Sequence, residues 1–288
     1  FKANFEAGKS EAPSQYTKIA TVIQSTTKSN TYGWLGKFPA LKKWVGDRVI
    51  ESMKAHGYTI VNEDYESTVG VDRNDIEDDE LGIYKPIFEE MGRSAAIHPD
   101  ESVFALLPAG FTTPCYDGQY FFDVDHVVKG ASVSNKGTKK LSVASQAAAQ
   151  ASFGAARTAM RSFKDDEGRP LNVKPDVLVV PPALEDIANA LMTVDHLEDG
   201  KPNPYKGACK VIVDGHLISD TAWFLLDTSK PVKPLIYQER KKPVFVQQTD
   251  PQTEEVFSRK KFKFGAEARS SGGYGFWQLA YGSDGSVA

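Results

Sequence analysis

The densest chemistry in the chain is VGVDRNDIEDDELG, residues 69–82, where Asp72, Asp75, Glu77, Asp78, Asp79 and Glu80 put six carboxylates into fourteen positions. Such a run could hold a divalent cation, supply an acid–base pair, or open a helix. A calcium loop of the EF-hand kind needs oxygen donors at positions 1, 3, 5 and 12 and glycine at 6. Counting from Asp72 puts Ile76 at 5 and Glu77 at 6, and counting from Asp75 puts Glu80 where glycine belongs. Both frames fail. Carboxylates are favoured at the positive end of a helix by about 0.3–1 kcal/mol each, and Asp72 or Asp75 can cap the helix predicted to follow. The run reads as a helix start.

The second candidate is FFDVDHV. Asp123 and Asp125 share one strand face and could bind a cation, with His126 pointing to the other side. A divalent-metal hydrolase built on Asp123, Asp125 and His126 is therefore the enzymatic alternative. The rest of the chain offers it little. There is no HxxxH or HExxH pair and no G-x-S-x-G elbow, and His56, His98, His196 and His216 are scattered. SSGGYGFW lacks the GK[ST] ending of a phosphate loop. In SRKKFKF, residues 258–264, the aromatics face one way and the lysines the other, as in an amphipathic strand over a core. Cys115 and Cys209 stand far apart in no metal-binding spacing, which suits a reduced, cytosolic setting. The reading is no catalytic residue, no cofactor and no resident metal.

The totals are those of an ordinary folded globular chain. The chain has 288 residues, 41% of them hydrophobic and 25% charged, with net charge −4, so no strong overall field draws it to nucleic acid. No apolar run approaches the roughly 20 residues of a membrane-spanning helix. FKANFEAGKS has no apolar signal-peptide core. It opens on Phe1 rather than methionine, so upstream residues are expected to be processed away or to lie outside this sequence.

The elements follow from periodicity. Residues 1–31 read as a polar arm with too few apolar groups to fold on its own. Trp34, Phe38, Leu41 and Val45 recur at helical spacing. From 47 to 71 the period falls to two, and Asn62, Glu63 and Asp64 supply a turn between YTIV and YEST, predicting a β-hairpin. Its single thin apolar stripe is marginal alone in water, so the hairpin is expected to lie on its own core or another subunit. Ile83, Ile87, Met91 and Ala95 mark a helix, with Pro99 opening or kinking a second segment that carries Asp100 and Glu101 in its first turn. YFFDVDHVV reads as a strand. A long helix is predicted from about Ser145 through Ala149, Phe153, Ala156, Met160 and Phe163. DVLVVPP, ACKVIVD and TAWFLLDTS are strands, ALEDIANALM is a short helix, and PLIYQERKKPVFVQQ onward is β structure.

APSQYTKIA, SNTYGWLGKFP, TVGVDRNDIEDDELGIYKPIFEEMGRSAA, PCYDGQYFFDVDH and SSGGYGFWQLA together resemble the major head (capsid) proteins of Mu-like transposable bacteriophages, collinearly from about Ala12 to Tyr281 and least around 129–145. The resemblance implies an α+β, Hong Kong 97-like capsid fold. It would comprise an N-terminal arm (1–46), an extended β-hairpin loop (47–72), a peripheral domain (73–144) with a spine helix at about 76–109, an axial domain (145–235), and C-terminal strands returning to the peripheral domain (236–288). It implies a structural subunit that assembles as pentamers and hexamers into an icosahedral head around double-stranded DNA, held without sequence specificity. Scaffold, portal and decoration proteins are the implied partners, with assembly in the bacterial host cytoplasm and no membrane. An encapsulin-type nanocompartment shell is the alternative with the same fold. Opposite charge on two exposed-looking segments suggests inter-subunit pairing of Glu63, Asp64 and Glu66 with Arg240, Lys241 and Lys242.

Overall fold

The computed structural model describes residues 1–38, 57–78, 82–250 and 252–287. In chain order its first half holds α1 (Lys2–Glu11), α2 (Tyr16–Ile19), β1 (Ala20–Gln24), β2 (Ser29–Tyr32), β3 (Tyr58–Val61), β4 (Glu63–Asp72), α3 (Arg73–Glu77), α4 (Lys85–Phe104) and α5 (Leu106–Ala109). Three short strands follow, β5 (His126–Val128), β6 (Ala131–Val133) and β7 (Lys136–Lys139). Then come α6 (Gln146–Ala149), a π-helical turn over Gln150–Gly154, α7 (Ala155–Arg161), β8 (Val177–Val180), α8 (Glu185–Thr193), β9 (Lys210–Val213) and β10 (Trp223–Leu226). The chain closes with β11 (Leu235–Gln248), α9 (Glu254–Arg259), β12 (Lys261–Tyr274) and β13 (Ala280–Val287).

Two sheets organise these elements. One has the order β1-β11-β12-β4, with β1 parallel to β11 and the other pairs antiparallel. The other has the order β7-β13-β10-β8-β9. Helix α4 packs on β11 and β12. There Phe88 is fully buried with Val71 and Phe264, its ring edge-on to Phe264 at 5.0 Å. The predicted alternation in KFKFGAEAR holds where it matters: Phe264 and Ala266 are buried while Lys261 and Glu267 are exposed. The helix predicted from Ser145 also forms. Ser145 caps it by accepting from the Ala148 amide at 3.1 Å, and Ala149, Phe153, Ala156 and Met160 are all fully buried. All four residues of β8 and of β10 are buried, as their continuous apolar runs require.

The arm, too poor in apolar groups to fold on its own, docks on α4. Phe5 is fully buried beside Met91 and Ala266, Phe1 meets Phe88 at 4.3 Å, and α1 crosses α4 at Gly8 and Gly92. A Cβ on Gly92 would lie 2.0 Å from the Phe5 carbonyl oxygen. Two aromatic anchors and a glycine crossing substitute for a long apolar stripe. Against expectation, Pro99 does not open a separate helix: α4 runs through it to Phe104. Asp100 is buried, and its carboxylate accepts from the amides of Gln15 (2.9 Å) and Tyr16 (2.6 Å) and from Ser14 Oγ (3.1 Å). It thus caps α2 from across the molecule. The acidic run opens only α3, with Asp72 accepting from the Asn74 amide, and the long helix begins later, past Gly82 in a left-handed conformation. Of YFFDVDHVV only His126–Val128 is strand.

The hairpin differs most. β3 and β4 do not pair with each other: β3 pairs with β2, Ser29 opposite Val61 and Tyr32 opposite Tyr58, and β4 pairs with β12, Asp72 opposite Lys261 and Glu63 opposite Ser270. Asn62 is a buried corner, not a turn tip. Its amide group donates to Ser25 Oγ and the Thr27 carbonyl, both at 2.9 Å, and its carbonyl oxygen accepts from Gln238 at 2.7 Å. Residues 58–72 therefore rest on their own chain. The predicted helix through Val45 and the expected loop residues 47–56 lie outside the described residues, in part or whole.

Candidate functional site

Because β4 is the last strand of its sheet, its outer edge carries no strand among the described residues. It runs for ten residues and is mostly exposed, with Val71 its one buried side chain. Long edges invite pairing with another chain, and charge is what regulates that pairing. Glu63, Asp64 and Glu66 are all exposed on this edge. Each has a partner on its own sheet. Glu63 accepts from Tyr65 at 3.0 Å and Glu66 from Thr68 at 2.5 Å. Asp64 lies 3.2 Å from Arg269 Nε as an ion pair whose angle is too poor for a hydrogen bond.

Arg240, Lys241 and Lys242 sit two strands away on β11, where the register with β12 is irregular. Lys241 pairs with Glu267 at 2.8 Å and Lys242 approaches Glu239 at 3.9 Å. The two charged segments therefore share one sheet, and a hollow lined by Asp64, Glu66, Lys241, Glu267 and Arg269 lies between them. These are half-exposed pairs of small individual worth, cheap to exchange for a neighbour's charges.

The hydrolase residues are not brought together. Asp123 is used by its own turn, accepting from the Val124 amide at 2.7 Å and the Tyr120 amide at 3.2 Å, while Asp125 is exposed. His126 instead joins Cys115 and Asp117, the one metal-type donor cluster among the described residues. Its ring lies flat on Trp277, 4.0 Å away and 6° from parallel. Its Nδ1 is 2.7 Å from Asp117 Oδ2, which also fixes the proton on that nitrogen, and Nε2 is buried without a partner. Asp117 Oδ1 accepts from Cys115 Sγ at 3.1 Å and from the Gln119 amide at 3.1 Å. Burial alone would raise the Asp117 pKa, but the His126 hydrogen bond and charge, with the thiol and amide donors, hold it below the usual carboxylate value. Burial and the Asp117 charge push the Cys115 thiol far up, so it is neither a nucleophile nor a ready ligand at neutral pH. The cluster is a hydrogen-bonded network that ties the 115–126 loop together against Trp277.

No sequence motif announced this network. The one usable signal was the Asp117-Gly118 dipeptide, a tight-turn mark. Gly118 has φ of 87°, and Pro114 bridges Tyr120 across the turn. The glycines of SSGGYGFW serve packing: a Cβ on Gly273 would sit 2.2 Å from Ile60 Cδ1. The aromatics and lysines of SRKKFKF are part of β12 and its approach.

The family described as "Mu-like prophage major head subunit gpT" matches residues 1–149, 137–217 and 218–288. The chain is 42% identical to the major capsid protein of Escherichia phage Mu over 97% of its own length and 70% of that protein. Among solved structures it is similar to the procapsid of bacteriophage JBD30, with TM-score 0.59 and 39% identity over 98% of this chain and 73% of that one. It is also similar to the JBD30 capsid decorated with minor capsid protein trimers, with TM-score 0.64 and 38% identity over 72% of this chain and 91% of that one.

Proposed function

The chain belongs to the Mu-like major head subunit family and has a structural role in a phage capsid shell, and from that premise we infer that it self-assembles as pentamers and hexamers into an icosahedral head enclosing double-stranded DNA. Assembly takes place in the bacterial host cytoplasm on a scaffold protein, with a portal at one vertex. Decoration by a minor capsid protein, as in the JBD30 particle, extends the same reading. The subunit carries no catalytic role. The observation that carries the reading is the family match running through the α4 helix and the long β11–β12 ribbon it covers.

Assembly on this reading is cooperative. Each interface buries a modest area, on the order of 1,000–2,000 Å², and closure makes many such contacts act together. The exposed edge of β4 with Glu63, Asp64 and Glu66 serves as the acidic half of one contact, and Arg240, Lys241 and Lys242 of a neighbour as the basic half. Sedimentation velocity of the 31.6 kDa chain with and without its scaffold tests the reading. Closed megadalton particles support it, and a monomer under every assembly condition sinks it. The encapsulin-type alternative predicts shells that never fill with DNA.

A further inference from the structure

The flank of α7 holds an unpaired cationic cluster that the shell reading does not use. Arg157 and Arg161 lie one turn apart on one helix face. Among the described residues neither guanidinium meets a carboxylate, and Arg157 Nε is buried with no hydrogen-bond partner. Both charges act on the Cys209 thiol, and Cys209 Sγ is 3.5 Å from the Pro175 carbonyl oxygen. Beside this helix face lies the strap that leads into β8, residues 172–174, which shares a hollow with Arg161. Arg161 and that strap, with Asn172, Val173 and Lys174, line a hollow of about 360 Å³. Asn172 holds a left-handed conformation at φ of 49° in the wall. Asp176, whose charge acts on the same thiol, is committed to Thr228, accepting from its amide at 2.7 Å and its hydroxyl at 2.8 Å.

Two like charges at this spacing repel, and a buried donor without a partner is costly. The chain is net acidic, yet among the described residues no carboxylate stands against these arginines. The π-helical turn just upstream shifts the phase of α7. It fits because Gly154 lacks a side chain: a Cβ there would lie 2.1 Å from the Tyr205 hydroxyl. Such turns recur at functional sites. Arginine forks bind the oxygens of a phosphate in pairs, which fixes geometry as well as charge.

We propose that Arg161 and Lys174, with Arg157 one turn away on the same helix face, form a phosphate-binding site, its ligand the phosphodiester backbone of DNA or free phosphate. The choice of DNA as a source rests on the shell reading. The phosphate chemistry does not.

The test measures binding of a random-sequence duplex and of inorganic phosphate to the purified chain, its R157Q/R161Q variant and its K174Q variant, across salt concentrations. Lys174 is exposed, so K174Q folds even if the double variant does not. With DNA as ligand, duplex affinity falls at least tenfold in R157Q/R161Q, and the slope of log K against log salt falls by about 1.8 there and about 0.9 in K174Q. Millimolar phosphate binding lost in the variants, with duplex binding unchanged, keeps the site and makes the free anion its ligand. Equal binding of both probes by all three proteins overturns the proposal, as does displacement by polyglutamate but not by phosphate. Failure of the parent chain to form shells would refute the shell reading and leave the phosphate result standing.

Discussion

The substitution Gly92→Ala puts a methyl group where α1 crosses α4. The new Cβ would lie 2.0 Å from the Phe5 carbonyl oxygen and 2.9 Å from the Lys9 amide nitrogen. Ordinary contact begins at 3.4 Å, so α1 must retreat by more than an ångström, and the core does not close gaps of that size without loss. The loss is bounded by Phe5, which is fully buried and whose truncation to alanine costs about 3–5 kcal/mol. Alanine returns about 1 kcal/mol of helix propensity inside α4. The expected net cost to docking of α1 is about 2–4 kcal/mol. Native-state hydrogen exchange of amides 2–11 reads this directly, as a roughly 30- to 700-fold acceleration while the β8 and β10 amides stay protected. Phe5→Ala should produce a similar acceleration, and the double variant little more than either single change, since both undock one helix. A change below twofold in Gly92→Ala, or additive effects in the double variant, would refute the crossing as the anchor of α1.

Asp100→Asn removes a charged cap from three donors of residues 14–16 and should weaken that segment by about 1–3 kcal/mol, read as faster tryptic cleavage at Lys18. Asp117 titrates below its usual value when folded, so its contribution is complete above pH ~4 and is lost as pH falls through the lowered folded value. Asp117→Asn should therefore lower the urea midpoint at pH 7 and flatten the acid limb, and parallel pH profiles for both proteins would contradict this. The Cys209 thiol, pushed up to about 12 by burial, and the Cys115 thiol, pushed higher still, should resist iodoacetamide at pH 8 until the chain unfolds. Double charge reversal, Lys241→Glu with Lys242→Glu, should block assembly with the monomer's circular dichroism unchanged. Normal shells from that variant would remove these lysines from the contact.

Elements whose partners are local or whose apolar runs are continuous were legible in the sequence. The buried face from Ala149 to Met160 and the runs in β8, β10 and β12 were read correctly because burial imposes their period directly. The hairpin misled because pairing is a long-range choice. SNTY in β2 is polar and shows no strand pattern, yet Asn30 pairs with Ile60, and the turn-like Asn62 is buried by Gln238, 176 residues away. Asp100 looked like a first-turn acid but caps a different helix. His126 was read as pointing away from Asp123 and Asp125, and its actual partners, in the preceding Asp117-Gly118 turn, were not foreseen. The same turn recurs at Asp165–Arg169 and Leu197–Lys201, where Gly168 and Gly200 take φ of 82° and 74°. Each carries an acidic residue before its glycine, a signal the sequence reading did not use.

Electron cryomicroscopy of particles formed by the chain with its scaffold tests the central claim most directly. The account predicts closed icosahedral shells in which a neighbouring copy covers the outer edge of β4 and meets Glu63, Asp64 and Glu66. Dispersed monomers, or shells in which that edge faces solvent at every position, would contradict it.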